Sequence, residues 1–205
     1  FRNPEWSGST REVLAGSSSS AVSDADTNTK LHPAVGQPGK QSLRIFWKWA
    51  DALTGDARAR CTSYSAASAI NRPNPLLDLR QGLSFYARAA KGEVDATIWI
   101  RETGGSGPVG GDGGLTGTIE SSSRSVRLKS TEGWTYVFYD LPNEEWGTVT
   151  GNATLEGDWG VLESIVFKPV AGSDGGDVEI YLDDFSQGPS HDTLGRDSLH
   201  GLMLY

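Results

Sequence analysis

Apolar and polar residues alternate with a period of two along several short segments of the chain. In residues 42–49, Leu43, Ile45, Trp47 and Trp49 fall on one face, opposite a face with two basic residues. Similar alternation occurs at residues 82–88, 95–102, 125–129, 134–140, 162–168 and 178–185. Because successive side chains of a strand point to opposite faces, this pattern predicts half-buried β-strands. Gly-, Asn- and Pro-rich turns separate the segments, which favours an all-β antiparallel sandwich or barrel.

The segments between these predicted strands are long and rich in small polar residues. Residues 9–40 are rich in Ser, Thr, Asp and Gly, and residues 103–118 contain eight glycines. After residue 185 the alternation ends, and an apolar segment from Leu199 to Tyr205 closes the chain. We therefore predict one domain at residues 1–186 with long Gly/Ser-rich loops, and a C-terminal tail at residues 187–205.

Length and charge exclude several classes of protein. A chain of 205 residues fits one domain, and no apolar segment is long enough to span a membrane. The net charge of −8 argues against a nucleic-acid partner, which requires clustered basic residues. The single cysteine, Cys61, permits neither an internal disulfide nor a cysteine-based zinc site.

Four short motifs resemble a known superfamily. The sequence YLDDF at residues 181–185 resembles the last strand of galactose-binding-like jelly rolls, and residues 1–6, 39–43 and 133–141 resemble other strands in the same order. The superfamily includes many carbohydrate-binding modules of secreted glycan-degrading enzymes. The resemblance implies an antiparallel jelly-roll β-sandwich over residues 1–186, an extracellular location and a carbohydrate partner.

Oxygen-bearing side chains indicate a structural calcium site. The resemblance implies that Asp184 binds Ca²⁺ together with a side chain of the first strand, where Asn3 is one of the nearest oxygen donors. Asp24, Asp26 and Asn28 supply three alternating oxygen donors in a predicted loop. The alternative for that loop is a solvated Asx-rich turn.

Aromatic and arginine side chains suggest a ligand surface. Sugar rings pack on aromatic faces, and their hydroxyls need planar hydrogen-bonding groups. Tyr86 and Arg88 share a face of one predicted strand, and Trp99 and Arg101 share a face of the next. If the two strands are neighbours, these four side chains form one binding platform. The alternative is that the aromatic residues lie in the core and the arginines pair with glutamates.

No catalytic motif accompanies this pattern. The paired carboxylates Glu144–Glu145 and Asp183–Asp184 are adjacent in sequence, so strand geometry points them to opposite faces. We predict a secreted, non-catalytic carbohydrate-binding module for a polysaccharide or oligosaccharide. One alternative is a structural subunit of an extracellular filament or surface lattice, which self-associates by strand exchange through the segment from Leu199 to Tyr205. A jelly-roll lyase or hydrolase is a third interpretation.

Overall fold

The computed structural model describes residues 22–25, 31–32, 42–49, 53, 57–61, 76–102, 117–171 and 176–188. These residues form thirteen β-strands and a 3₁₀ helix at Leu141–Asn143. In chain order the strands are β1 (Val22–Ala25), β2 (Leu31–His32), β3 (Ser42–Trp49), β4 (Ala59–Cys61), β5 (Leu76–Asp78), β6 (Gly82–Lys91), β7 (Glu93–Glu102), β8 (Ile119–Ser122), β9 (Val126–Lys129), β10 (Thr135–Tyr139), β11 (Trp146–Thr148), β12 (Trp159–Pro169) and β13 (Asp177–Gly188).

The strands form two antiparallel sheets. The first has the order β1-β3-β13-β6-β10, with β2 also paired to β3. The second has the order β11-β8-β7-β12-β4, with β5 also paired to β12 and β9 to β7. Each of the seven segments with predicted alternation lies on a strand, and the predicted fold, a jelly-roll β-sandwich, is confirmed.

The core lies between the sheets and is built from the apolar faces that the alternation identified. Leu43, Ile45 and Trp47 of β3 are all buried, as predicted. The Trp47 ring contacts Phe167 of β12 at a centroid distance of 5.2 Å, which joins the two sheets. The buried Tyr139 hydroxyl of β10 donates across the sandwich to the carbonyl oxygen of Ala96 in β7, at 3.3 Å.

Gly92 carries the chain from the first sheet to the second between β6 and β7. Its φ is 73°, and a Cβ at this position would lie 3.0 Å from the Asp177 carbonyl oxygen. Both the left-handed backbone and the close approach favour glycine here. The expectation that β6 and β7 are neighbours in one sheet is wrong, because the chain changes sheet at this residue.

Cys61 is buried on the inner side of β4. Burial raises the pKa of its thiol to about 12, so the side chain is a protonated, apolar core residue at neutral pH. Among the described residues, no helix has the length and apolarity to cross a membrane.

The last strand, β13, continues to Gly188. The segment from Leu199 to Tyr205, on which the predicted self-association depends, lies outside the described residues.

Candidate functional site

The four residues predicted to form one platform lie on two different surfaces. Phe85 and Ala87 of β6 are in the core, so Tyr86 and Arg88 lie on the outer face of the first sheet. Ile98 and Ile100 of β7 are in the core, so Trp99 and Arg101 lie on the outer face of the second sheet. The structure keeps each pair together and places the two pairs on opposite sides of the sandwich.

Trp99 lies in a cross-strand row of small residues. Its Cα partners are Ser164 of β12 on one side and Ser121 of β8 on the other, and Ser121 is paired with Gly147 of β11. The side chains next to the partly buried indole are therefore short. Among these four residues of the row, Trp99 has the only large side chain.

A network of ion pairs lies beside Trp99. The Glu163 carboxylate accepts a hydrogen bond from the Arg60 guanidinium and two from Arg101, with Nε–Oε2 and Nη2–Oε1 distances of 3.0 and 3.2 Å. Arg60 Nε also donates to Ser164 Oγ at 2.6 Å, and Arg101 Nη1 donates to the Gly117 carbonyl oxygen at 2.9 Å. These bonds hold both guanidinium groups in place.

A β-bulge explains how Glu163 reaches this network. Leu162 is paired with Ile100 and Ser164 with Trp99, so β12 has one residue more than β7 at this point. Glu163 is the extra residue. A bulge re-aims a side chain and shifts the alternation that follows it. Glu163 and Ser164 therefore both contact Arg60, although they are adjacent in sequence.

Two arginines of the segment around β4 flank the indole. The Cζ atoms of Arg58 and Arg60 each lie 5.5 Å from the centroid of the Trp99 ring, within the range of cation–π attraction. Arg58 Nε is buried and has no hydrogen-bond partner among the described residues. We call Trp99, Arg58, Arg60, Arg101 and Glu163 the Trp99 cluster.

The electrostatics of the Trp99 cluster are dominated by its cations. Burial lowers the pKa of Arg60; Glu163 opposes this shift, whereas the neighbouring charges of Arg101 and Arg58 add to it. An arginine guanidinium stays protonated in proteins despite such a shift. The cluster thus carries three positive charges and one negative charge.

The outer face of the first sheet carries a different arrangement. The Tyr86 ring contacts the Tyr136 ring of β10 at 5.4 Å, and Tyr181 is the Cα partner of Arg88. Glu179 accepts a hydrogen bond from Arg44 at 2.8 Å, and this bond lowers the pKa of the Glu179 carboxyl. This surface is aromatic with paired charges, and the strand register places Arg44 and Arg88 on either side of Tyr181.

A cavity of about 740 Å³ lies at one end of the sandwich, beside Trp146 and Leu141. Two of its polar side chains already have partners, since Arg80 pairs with Asp78 at 2.8 Å and Glu144 accepts from Ser122 at 3.0 Å. Its lining also includes the polar residues Ser123, Glu145 and Thr154.

The described residues supply only part of the predicted calcium site. Asp184 lies in β13 with a φ of 49°, and its N–H donates to Asp183 Oδ1 at 2.9 Å. The other oxygen of that carboxylate, Asp183 Oδ2, is buried without a hydrogen-bond partner among the described residues, so it fits a cation ligand. No group of three or more acidic, histidine or cysteine side chains able to hold a metal occurs in this part of the chain.

The remaining predicted calcium ligands do not complete that shell. Asp24 lies in β1, where it is paired with Lys48, and not in the loop that the sequence predicted. The reason is that backbone pairing with β3 extends this segment. Asn3, Asp26 and Asn28 lie outside the described residues. Calcium binding therefore stays a prediction.

Sequence reasoning missed three members of the Trp99 cluster: Arg58, Arg60 and Glu163. Arg60 is on a strand of three residues, which is too short to show alternation, and it meets Glu163 across a separation of 103 residues. The face of β12 on which Glu163 lies could not be predicted from alternation, because the β-bulge at this residue shifts the alternation. The one local signal was the repeated arginine at positions 58 and 60, which gives two cations on one side of a strand.

Comparison with solved structures finds chains of similar fold. Neither a protein-family model nor a curated protein sequence matches the chain. The fold is similar to the solved structure of a family 11 carbohydrate-binding module from Clostridium thermocellum, in complex with a β-1,3-1,4-mixed-linked tetrasaccharide. The identity is 12%, the match covers 86% of this chain and 93% of that chain, and the TM-score is 0.38.

Proposed function

We propose that the chain is an extracellular, non-catalytic glycan-binding module and that the Trp99 cluster is its binding surface. The observation that carries this proposal is the group of guanidinium groups beside the Trp99 indole, two of which are held in place by Glu163. Apolar faces of sugar rings pack on indole, and their oxygens accept hydrogen bonds from guanidinium N–H groups.

Glu163 would position the cluster rather than contact the sugar. Its side chain is only 1% exposed, whereas those of Arg60 and Arg101 are 16% and 18% exposed. A ligand therefore has access to the side chains of Arg60 and Arg101 and not to the carboxylate. Because the carboxylate holds these groups in one geometry, less side-chain entropy is lost on binding.

The chemistry of the cluster favours binding over glycoside hydrolysis. Glycosidases commonly use two carboxyl groups about 5–9 Å apart, one of them as the acid. In the described part of the cluster there is one carboxylate, and it is bonded to two guanidinium groups. The cluster thus lacks the second carboxyl group that this chemistry uses.

Trp99→Ala is expected to weaken binding to a recognised polysaccharide by about 30-fold, because a central aromatic contact contributes about 2 kcal/mol. The measurement is affinity gel electrophoresis against a polysaccharide panel, followed by calorimetry with the best ligand. Trp99→Phe, which keeps a ring, should retain part of the affinity, and a thermal melt checks folding.

Tyr86→Ala is the matched control, since Tyr86 is a partly buried aromatic residue on the opposite sheet. It should leave the affinity unchanged. If Tyr86→Ala abolishes binding and Trp99→Ala does not, the binding surface is the first sheet. If no polysaccharide of any class is bound, the proposed function is wrong.

A structural calcium next to the last strand is the second part of the proposal. Asp184 and the unpartnered Asp183 Oδ2 would be among its ligands. Chelation by EGTA is expected to lower the Tm of the wild-type protein, and to lower that of Asp184→Asn by less, because the variant has already lost affinity for the ion. Differential scanning fluorimetry with added Ca²⁺ or EGTA measures this, and a Tm that chelation does not change removes the site.

A further inference from the structure

The accessible part of the Trp99 cluster is cationic. Glu163 is almost fully buried, whereas the side chains of Arg60 and Arg101 are partly exposed. One carboxylate is shared between these two cations, and Arg58 adds a third cation on the same indole. The described residues of the cluster therefore have an excess of two positive charges over the carboxylate.

Arg58 is the member of the cluster with unused hydrogen-bonding capacity. Its Nε is buried, and no described residue accepts a hydrogen bond from it. Burying a donor without an acceptor costs free energy, and the cost is larger for a charged group. An acceptor supplied by a ligand would remove this cost. Because the donor is part of a cation, an anionic acceptor gives the strongest bond.

The excess of positive charge is a local property of the Trp99 cluster and not of the whole chain. The protein carries a net charge of −8, so its long-range field repels anions. A local group of three guanidinium groups around one indole has the opposite sign. Such a group binds a planar or tetrahedral oxyanion through directed N–H donors.

Resting on the proposed function, we propose that the Trp99 cluster selects glycans with an anionic substituent, a uronate carboxylate or a sulfate ester. The sugar ring would pack on Trp99, beside Ser121 and Ser164. The anionic group would accept hydrogen bonds from Arg58 and from the exposed part of Arg60. Neutral glycans of the same backbone would lack the charge-assisted bonds and bind more weakly.

The test compares matched pairs of polysaccharides with the wild-type chain. Dextran sulfate against dextran tests the sulfate ester, and polygalacturonate against its methyl-esterified form tests the carboxylate. We expect the anionic member of at least one pair to bind at least about tenfold more tightly than its neutral partner. The affinity should fall as the salt concentration rises, since the bonds are charge-assisted.

Two single variants test the assignment to Arg58. Arg58→Gln is expected to weaken binding of the anionic glycan by about tenfold. Arg88→Gln is the matched control, because Arg88 also has a buried Nε without a described partner but lies on the opposite sheet. A larger loss in Arg88→Gln than in Arg58→Gln overturns the assignment, and a thermal melt of each variant verifies folding.

The outcomes separate this inference from the proposed function. Equal or tighter binding to the neutral members overturns the anionic selectivity and leaves glycan binding standing. The same conclusion follows if the chain binds no member of either pair but binds another neutral polysaccharide. Absence of binding to every polysaccharide overturns both proposals.

Discussion

Glu163→Ala is expected to lower the free energy of unfolding by about 3 kcal/mol, since it removes one partner from a buried set of ion pairs. The substitution leaves Arg60 and Arg101 close together, mostly buried and without the carboxylate that accepts their hydrogen bonds. Repulsion between the two cations adds to the cost. Urea denaturation followed by circular dichroism measures the change.

Glu93→Ala is the matched control for this experiment. Glu93 pairs with Arg127 at 3.0 Å, but the two side chains are 39% and 42% exposed. Exposed ion pairs contribute between about 0 and 1 kcal/mol, so this variant should unfold close to the wild-type midpoint. Equal effects of the two substitutions would show that burial of Glu163 between the arginines has no special energetic consequence.

Glu163→Ala should also weaken glycan binding, because the guanidinium groups lose the acceptor that orients them. The variant remains informative only where it is folded, so binding is measured well below its unfolding temperature. A variant that is folded and binds with wild-type affinity would contradict the positioning role of Glu163.

Trp47→Ala is expected to cost about 4 kcal/mol of stability, because it removes a fully buried aromatic side chain and leaves a cavity. Trp47 contacts Phe167 of the other sheet at 5.2 Å and Trp49 at 5.4 Å. Its loss therefore affects the packing of one sheet on the other. Chemical denaturation measures the loss, and Trp47→Phe, with a smaller expected cost, serves where the alanine variant does not fold.

Phe46, the neighbour of Trp47 in β3, is the control residue for this substitution. It is partly exposed on the outer face of the first sheet, where Arg44 lies 5.6 Å from its ring centroid. Phe46→Ala is expected to cost about 1 kcal/mol or less. A larger loss for Phe46→Ala than for Trp47→Ala would contradict the assignment of the two faces of this strand.

The long strands could be predicted because apolar and polar residues alternate within each of them. β3, β6 and β7 alternate buried and partly exposed residues over much of their length, so the period of two is visible in the sequence. β12 and β13 were predicted as well, although their central residues are buried on both faces. The short strands were not predicted. β4, β5 and β11 each contain three residues, and pairing with a distant neighbour determines their extended conformation.

The candidate site shows the same division. Tyr86 with Arg88 and Trp99 with Arg101 were correctly placed as pairs, since residues two apart on a strand share a face. Their assembly into one platform was wrong, because Gly92 moves the chain to the other sheet. Alternation within a strand contains no information about which strand lies beside it.

The sequence by itself determined the β-sandwich, the apolar faces that form its core and the shared face of Trp99 and Arg101. The tertiary structure decided which side chains meet Trp99. Arg58 and Arg60 reach its ring through the pairing of β4 with β12, and Glu163 reaches the arginines through a bulge. Contacts between residues far apart in sequence depend on strand order and register, and these are set by the packing of the whole domain.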